Sequence, residues 1–192
     1  MGRQRALELL IAKRVVEKIT PLSAKPSRLS RYVVADHYLR FWLRYVGPGL
    51  EEILRGRGDL VVERVLATWS EYRGRAIETL GRGSVERMLP DARFGDARYV
   101  GAFWTRDGEV ELDLVGAPTG PVARRVSFVG QVKWRERSPF DHRDLASLIQ
   151  RRPRVPGVDE HTGLVAVSRS GFRATGQYVA LGPGDLLHAW RT

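Results

Sequence analysis

The stretch Val126-Ser127-Phe128-Val129-Gly130-Gln131-Val132-Lys133-Trp134 decides the fold of this chain. Its β-branched and aromatic residues favour an extended conformation, so the stretch predicts a β-strand. Upstream, residues 109–115 predict a second strand that carries three acidic side chains. The architecture therefore follows from how these two strands pair with each other and with the segments around them.

Lys133 is unusual among the basic residues of the chain. The 32 lysines and arginines include only four lysines, at Lys13, Lys18, Lys25 and Lys133. Beyond Lys25, arginine is used wherever a permanently positive side chain is needed, except at Lys133. A lysine ammonium is a compact point donor that a planar guanidinium does not replace. The choice of lysine at this position therefore indicates a chemical role for the ammonium group.

Composition bounds the class of protein. A chain of 192 residues can bury a real core and fits one domain, or one domain with a small appendage. The formal net charge of +10 indicates a polyanionic partner, most simply nucleic acid, although a solvated arginine-rich surface gives the same value. The lack of cysteine excludes disulfides and thiolate metal sites and agrees with a reducing cytoplasm. The apolar stretches are too short to span a bilayer, so we expect no membrane association.

The N-terminal part predicts the back half of a winged helix, followed by helices. The aromatic segment Asp36–Tyr45 predicts a helix whose rings pack inside the protein rather than stack on bases. A further helix, ending near Leu80, carries Glu78. The winged-helix part is predicted as a helix and two strands, at residues 3–13, Val15–Thr20 and Arg31–Val34.

The C-terminal part predicts a mixed α/β sheet. The Asp107-Gly108 pair favours a hairpin turn between the first two strands, and a crossover helix at Phe140–Arg151 precedes the fourth. A final helix begins near Asp185. The five predicted strands are Arg98–Thr105, Glu109–Val115, Arg125–Trp134, Gly163–Ser168 and Gln177–Leu181.

Strand alternation suggests a site. Because successive side chains point to opposite faces, Asp113 lies on one face of its strand, while Gln131 and Lys133 share a face of theirs. In a suitable register these three side chains converge, and a hard divalent cation would relieve the repulsion among the acidic groups. The alternative is a solvent-facing hairpin with ordinary surface charges, which we prefer for Glu109 and Glu111 near the turn.

The order of several short motifs resembles a known family. An acid on a helix, an aspartate on a hairpin strand and Gln-Val-Lys on the next strand resemble the PD-(D/E)xK nuclease superfamily. Nearly the whole chain is similar to one subgroup, the C-terminal domain of unknown function that follows a winged helix in prokaryotic AAA+-type ATPases. The motifs that carry this resemblance are Tyr32-Val33-Val34-Ala35-Asp36, Leu39-Arg40-Phe41-Trp42, Arg55-Gly56-Arg57-Gly58-Asp59, Gly74 through Glu78, Glu111-Leu112-Asp113 and Val132-Lys133-Trp134.

The resemblance implies a restriction-endonuclease-like mixed sheet flanked by helices and a nuclease that uses Mg²⁺ or Mn²⁺. Glu78 matches the helix acid, Asp113 the metal-binding aspartate, Gln131 the (D/E) position and Lys133 the lysine, with Asp113, Gln131 and Glu78 as metal ligands. It also implies a winged-helix wing and helical region over residues 1–56 and the nuclease-like domain over residues 57–192. The expected partners are DNA, a separate AAA+-type ATPase and a second copy of the chain.

Two departures from the family pattern leave a second function open. Gln131 stands where the family commonly has glutamate, so one negative charge is lost and cation affinity should fall. The chain also has no Gly-x-x-x-x-Gly-Lys-Ser/Thr motif, so it does not hydrolyse ATP through a P-loop. The alternative function is a non-catalytic DNA-binding or regulatory module that acts with an ATPase. In either case the basic loop at Arg151, Arg152 and Arg154 is a candidate contact for a phosphate backbone, although a solvated loop explains it equally well.

Overall fold

The structure, a computed structural model, describes residues 2–191. The chain forms two compact units. The first contains the chain up to Ile19 together with Ser30–Ala76, and the second contains Thr20–Leu29 and the chain from Ile77 onward. The boundary lies within one long helix. The sequence-based division between residues 56 and 57 stays a prediction.

The first unit begins with the helix and two strands that the sequence predicts. The strands pair antiparallel, with Val16 opposite Val34. Asp36 caps the next helix, because its carboxylate accepts a hydrogen bond of 2.6 Å from the amide of Leu39. That helix continues into a π-helical turn at Trp42–Val46. The elements are α1 (Arg3–Ala12), β1 (Val16–Ile19), β2 (Arg31–Val34), α2 (His37–Phe41), α3 (Leu50–Leu54) and the first part of α4 (Gly58–Arg87).

An aromatic cluster packs the first unit together. Phe41 contacts the rings of Tyr45, Trp69 and Tyr72, with ring centroids 5.1, 6.5 and 5.9 Å apart respectively. The Tyr45 hydroxyl lies 2.7 Å from that of Thr68, which satisfies the polar end of a buried ring. The predicted packing role of the aromatic segment is therefore confirmed for Phe41 and Tyr45, whereas Tyr38 in the same segment is 74% exposed.

Helix α4 is longer than the sequence predicts. We expected an end near Leu80, but the helix runs to Arg87. Glycine weakens a helix, yet Gly81 lies where the helix packs closely on the sheet, since a Cβ at this position would be 3.5 Å from Val132 Cγ2. Tertiary packing therefore carries the helix through a segment of poor intrinsic propensity.

The second unit is a five-stranded mixed sheet flanked by helices, which confirms the predicted fold class. Its strand order is β3-β4-β5-β6-β7. The first three strands are antiparallel neighbours, and the last three are parallel neighbours. No helix within residues 2–191 has the length and apolar character needed to cross a membrane. The elements are β3 (Tyr99–Trp104), β4 (Glu111–Ala117), β5 (Phe128–Lys133), α5 (His142–Arg151), β6 (Gly163–Ser168), β7 (Val179–Leu181) and α6 (Pro183–His188).

Each face of this sheet has its own hydrophobic core. On the face that we call the α4 face, Phe128 and Val132 of β5 pack with Val85 of α4. On the opposite face, the α5 face, Val129 of β5 packs with Leu145 of α5. The central strand is therefore covered on both sides, as its nearly continuous apolar sequence requires.

We predict that Gly130→Ala destabilises the second unit. A Cβ at Gly130 would lie 2.4 Å from the main-chain oxygen of Val165 on β6, so the two strands would have to move apart. The free energy of unfolding, measured by urea denaturation, should fall by about 1–3 kcal/mol.

Gly83→Ala in α4 is the matched control. A Cβ at Gly83 would make an ordinary contact, 3.5 Å from Trp190, so this change should raise the helix propensity and stabilise the unit by up to about 1 kcal/mol. A Gly130 variant as stable as the wild type would contradict the close approach of β5 and β6.

Candidate active site

A β-bulge in β4 positions Asp113. Gly101 pairs with Val115 and Phe103 with Leu112, so Asp113 and Leu114 together oppose a single residue of β3. The bulge interrupts the strict alternation that the sequence predicts. As a result, Leu112 packs on the α5 face, whereas Leu114 packs on the α4 face. Such an extra residue bends a strand locally and re-aims the side chains beside it.

The Asp113 side chain bonds to the main chain of the neighbouring strand. Its Oδ2 accepts a hydrogen bond of 2.8 Å from the amide of Val132 on β5. The carboxylate therefore lies beside the segment that carries Gln131 and Lys133. Burial raises the pKa of Asp113 above its ordinary value, while the Val132 amide and the charges of Lys133 and Arg82 oppose that shift.

Gln131 carries a buried acceptor that lacks a partner. Its side chain is 3% exposed, and its Oε1 has no hydrogen-bond partner within residues 2–191. The residue aligns with Ala166 of β6, which packs on the α5 face. Leaving a buried polar atom unsatisfied costs about 1–3 kcal/mol, so the Gln131 oxygen is a position where an ordered water, an ion or a ligand would be stabilised.

Lys133 faces an acid that the sequence gives no reason to place in the site. Its Nζ lies 3.9 Å from Oδ1 of Asp144, in the first turn of α5. Asp144 is 8% exposed and also accepts two hydrogen bonds, of 2.8 and 2.9 Å, from the guanidinium of Arg135. In the sequence, Asp144 is fully explained as the partner of Asp141 in a helix capping box, so its second role leaves no local signal.

The helix acid Glu78 lies on α4, one turn before a residue that contacts the bulge. Arg82, four positions later on the same side of the helix, donates a hydrogen bond of 3.1 Å to the main-chain oxygen of Asp113. It also donates one of 3.2 Å to the hydroxyl of Thr79. Glu78 is half-buried. The structure therefore brings the end of α4 to β4 at the level of Asp113.

The three candidate arginines lie at the end of α5 and in the 3₁₀ helix Arg152–Arg154 that follows it, not in a loop as predicted, and all three have partners inside the protein. Arg154 forms an ion pair of 3.0 Å with Glu109, which supports our preference for a surface role of that acid. Arg152 donates to the main-chain oxygen of Thr162 at 3.2 Å. Arg151 donates to the main-chain oxygen of Glu111 at 3.4 Å. Any contact of these arginines with phosphate would compete with these bonds.

Two side-chain oxygens of the candidate site have the chemistry that a hard divalent cation prefers. Within residues 2–191 no group of three or more His, Cys, Asp or Glu side chains could hold a metal ion. The Asp113 carboxylate and the unpartnered Gln131 oxygen are hard oxygen donors, as Mg²⁺ prefers. Mg²⁺ retains several waters when it binds proteins, so two side-chain ligands suffice for a weak site.

A protein-family comparison identifies the chain. It belongs to DUF234, a family of archaeal and bacterial proteins of unknown function. The family model matches residues 42–145, which include Glu78, Asp113, Gln131, Lys133 and Asp144. An uncharacterized protein of Methanocaldococcus jannaschii is 25% identical over 166 residues, covering 84% of this chain. The chain spans 36% of the length of that relative. No solved structure matches it.

We predict that Asp113→Asn stabilises the fold at neutral pH. Burial raises the pKa of Asp113, so the native state keeps this proton at pH values where the unfolded chain has lost it. The carboxylate therefore costs stability above that window. Asparagine keeps an acceptor for the Val132 amide and carries no charge, so its free energy of unfolding should exceed that of the wild type.

The pH dependence tests the cause. The advantage of Asp113→Asn should shrink as the pH falls through the raised pKa of Asp113 and disappear below its ordinary value of 3.8. Urea denaturation in EDTA at several pH values measures it. Glu109→Gln, a change at an exposed acid of the same hairpin, is the control. An advantage that persists unchanged in acid would rule out the buried carboxylate as its source.

Proposed function

We propose that this DUF234 domain hydrolyses phosphodiester bonds of nucleic acid, with DNA as its substrate, in a site that uses Mg²⁺ or Mn²⁺. The observation that carries the proposal is the grouping on two neighbouring strands. The Asp113 carboxylate bonds to the Val132 amide, and Val132 lies between Gln131, with its unpartnered buried oxygen, and Lys133. A carboxylate, an amide oxygen and an ammonium are the groups that such a reaction needs.

The proposed roles follow from these positions. Asp113 and Gln131 would hold the cation, and a bound cation would polarise a phosphate oxygen and lower the pKa of a coordinated water. Lys133, with three donors on a compact charge, orients the attacking water or stabilises the negative charge that develops on the phosphoryl oxygens. Arg82 fixes the bulge by bonding to the Asp113 main chain. Glu78 is proposed as a water-mediated ligand or a base.

The proposed partners follow from charge and from the family resemblance. The net charge of +10 favours a polyanion, and Arg151, Arg152 and Arg154 can exchange their internal partners for phosphate oxygens. We further propose that the domain acts with a separate AAA+-type ATPase and as a homodimer in the cytoplasm.

We predict that Lys133→Ala lowers DNA cleavage by at least about 100-fold. The purified protein is incubated with supercoiled and branched DNA in Mg²⁺ or Mn²⁺, and nicked and linear products are quantified. Lys25→Ala is the matched control, since Lys25 is an exposed lysine of the same unit. Cleavage that is unchanged by Lys133→Ala would remove Lys133 from the mechanism.

One observation favours a second function, a DNA-binding or regulatory module without catalysis. The family position that is usually acidic carries Gln131, and no cluster of three potential His, Cys, Asp or Glu ligands exists in the described part of the chain. Such a module keeps the fold and the positive charge but has lost cation affinity. Its binding of DNA should weaken as salt rises, because phosphate contacts release counterions.

We predict that Gln131→Glu separates the two functions. The added carboxylate should lower the Mg²⁺ concentration for half-maximal cleavage by on the order of tenfold if the wild-type site is active but weak. Glu111→Gln, on the same hairpin, changes one charge without adding a ligand at position 131 and serves as the control. Salt-sensitive DNA binding by a wild type that never cleaves would favour the regulatory module. A protein that neither binds nor cleaves DNA would contradict both.

A further inference from the structure

We infer that Asp144 is a positioning residue that holds the Lys133 ammonium in the site and shares its carboxylate with Arg135. The inference deepens the proposed function and rests on it for the importance of Lys133. The observation is an ion trio in which one acid, 8% exposed, lies 3.9 Å from Lys133 and within 2.8–2.9 Å of Arg135.

The acid itself is rigidly held. Asp144 occupies the first turn of α5, where its Oδ2 accepts a hydrogen bond of 3.3 Å from the Asp141 amide. The same helix buries Leu145 and Leu148 in the core of the α5 face. A carboxylate on a packed helix can fix the position of a flexible side chain on the facing strand, as a carboxylate on a loop cannot.

The geometry leaves the ammonium available for chemistry. Arg135 engages both oxygens of Asp144 in a bidentate pair, so its fork neutralises most of the acid. Lys133 is the more distant partner, and one carboxylate contact leaves it with other donors, because an ammonium has three. The side chain of Lys133 is 25% exposed, which gives a substrate access to it.

Sequence composition makes a direct test possible. The chain has four lysines, so lysine labelled with ¹³C at Cε gives four signals in an NMR spectrum of the whole protein. Lys133→Arg assigns the signal of Lys133. The other three lysines are exposed and serve as internal standards for a mobile side chain. We expect the wild-type Lys133 Cε to have a clearly higher order parameter than these three.

Asp144→Asn should release Lys133. Asparagine retains an oxygen for the Asp141 amide but loses the charge, so the order parameter of the Lys133 Cε should fall by about half, toward that of the exposed lysines. Asp141→Asn is the matched control, because it removes the charge of a nearby carboxylate that accepts its hydrogen bonds from the amides of Arg143 and Asp144. A Lys133 that stays equally ordered in Asp144→Asn overturns the inference.

Arg135→Gln keeps the inference testable if Asp144→Asn does not fold. It removes the competing cation and leaves the Asp144 carboxylate to Lys133, so the Lys133 order parameter should stay or rise. A fall would show that Arg135, and not Asp144, orders the lysine.

Cleavage assays separate this inference from the proposed function. In an active enzyme, Asp144→Asn should lower kcat more than it raises KM, because a Lys133 ammonium that is no longer held in position mainly weakens stabilisation of the transition state. A wild type without cleavage would contradict the nuclease, while the NMR result would still decide whether Asp144 positions Lys133.

Discussion

The candidate site depends on one hydrogen bond, from the Val132 amide to the Asp113 carboxylate. In an ordinary antiparallel pair this amide would bond to a main-chain oxygen of β4. The bulge at Asp113 and Leu114 displaces the strand, and a charged side chain takes over as the acceptor. A functional group is thereby fixed by the same interaction that joins two central strands, which gives it the rigidity of the sheet. Gln131 and Lys133 acquire defined positions because they flank the donor.

The arrangement sacrifices stability at several neighbouring positions. Burial raises the pKa of Asp113, which means that the ionised carboxylate lowers the stability of the native state. Gln131 and Ser168 each bury a polar atom that has no partner within residues 2–191, and Ser168 aligns with Lys133 on the next strand. Unfavourable groups that share one end of a well-packed sheet indicate selection for something other than stability. Gly130 leaves room for β6 beside β5, because a Cβ at this position would lie 2.4 Å from the main-chain oxygen of Val165.

The sequence predicts most of the fold and only part of the site, for identifiable physical reasons. Hydrophobic runs and the Asp107-Gly108 turn define the hairpin and the central strand because these signals are local. The bulge cannot be predicted from the sequence, because strand alternation assumes that each residue of one strand opposes one residue of the next. Alternation therefore places Leu112 and Leu114 on the same face of the sheet, whereas the structure places them on opposite faces. The extra turns of α4 depend on packing against Val132. The sequence does not predict a role for Asp144 in the site, because its place in a helix capping box already explains an aspartate there.

The charges around Lys133 bear on both proposed functions, the nuclease and the non-catalytic module. Lys133 and Arg135 form ion pairs with the Asp144 carboxylate, and the charges of Lys133 and Arg82 partly offset the effect of burial on Asp113. A glutamate at position 131 would add an unmatched negative charge and make a cation favourable. Glutamine leaves the balance intact and lowers the affinity for a cation without removing the oxygen that would bind it. Under the proposed function, catalysis and its loss would differ by the affinity of one cation site, and a nucleic-acid substrate would raise that affinity by bringing phosphate oxygens as further ligands.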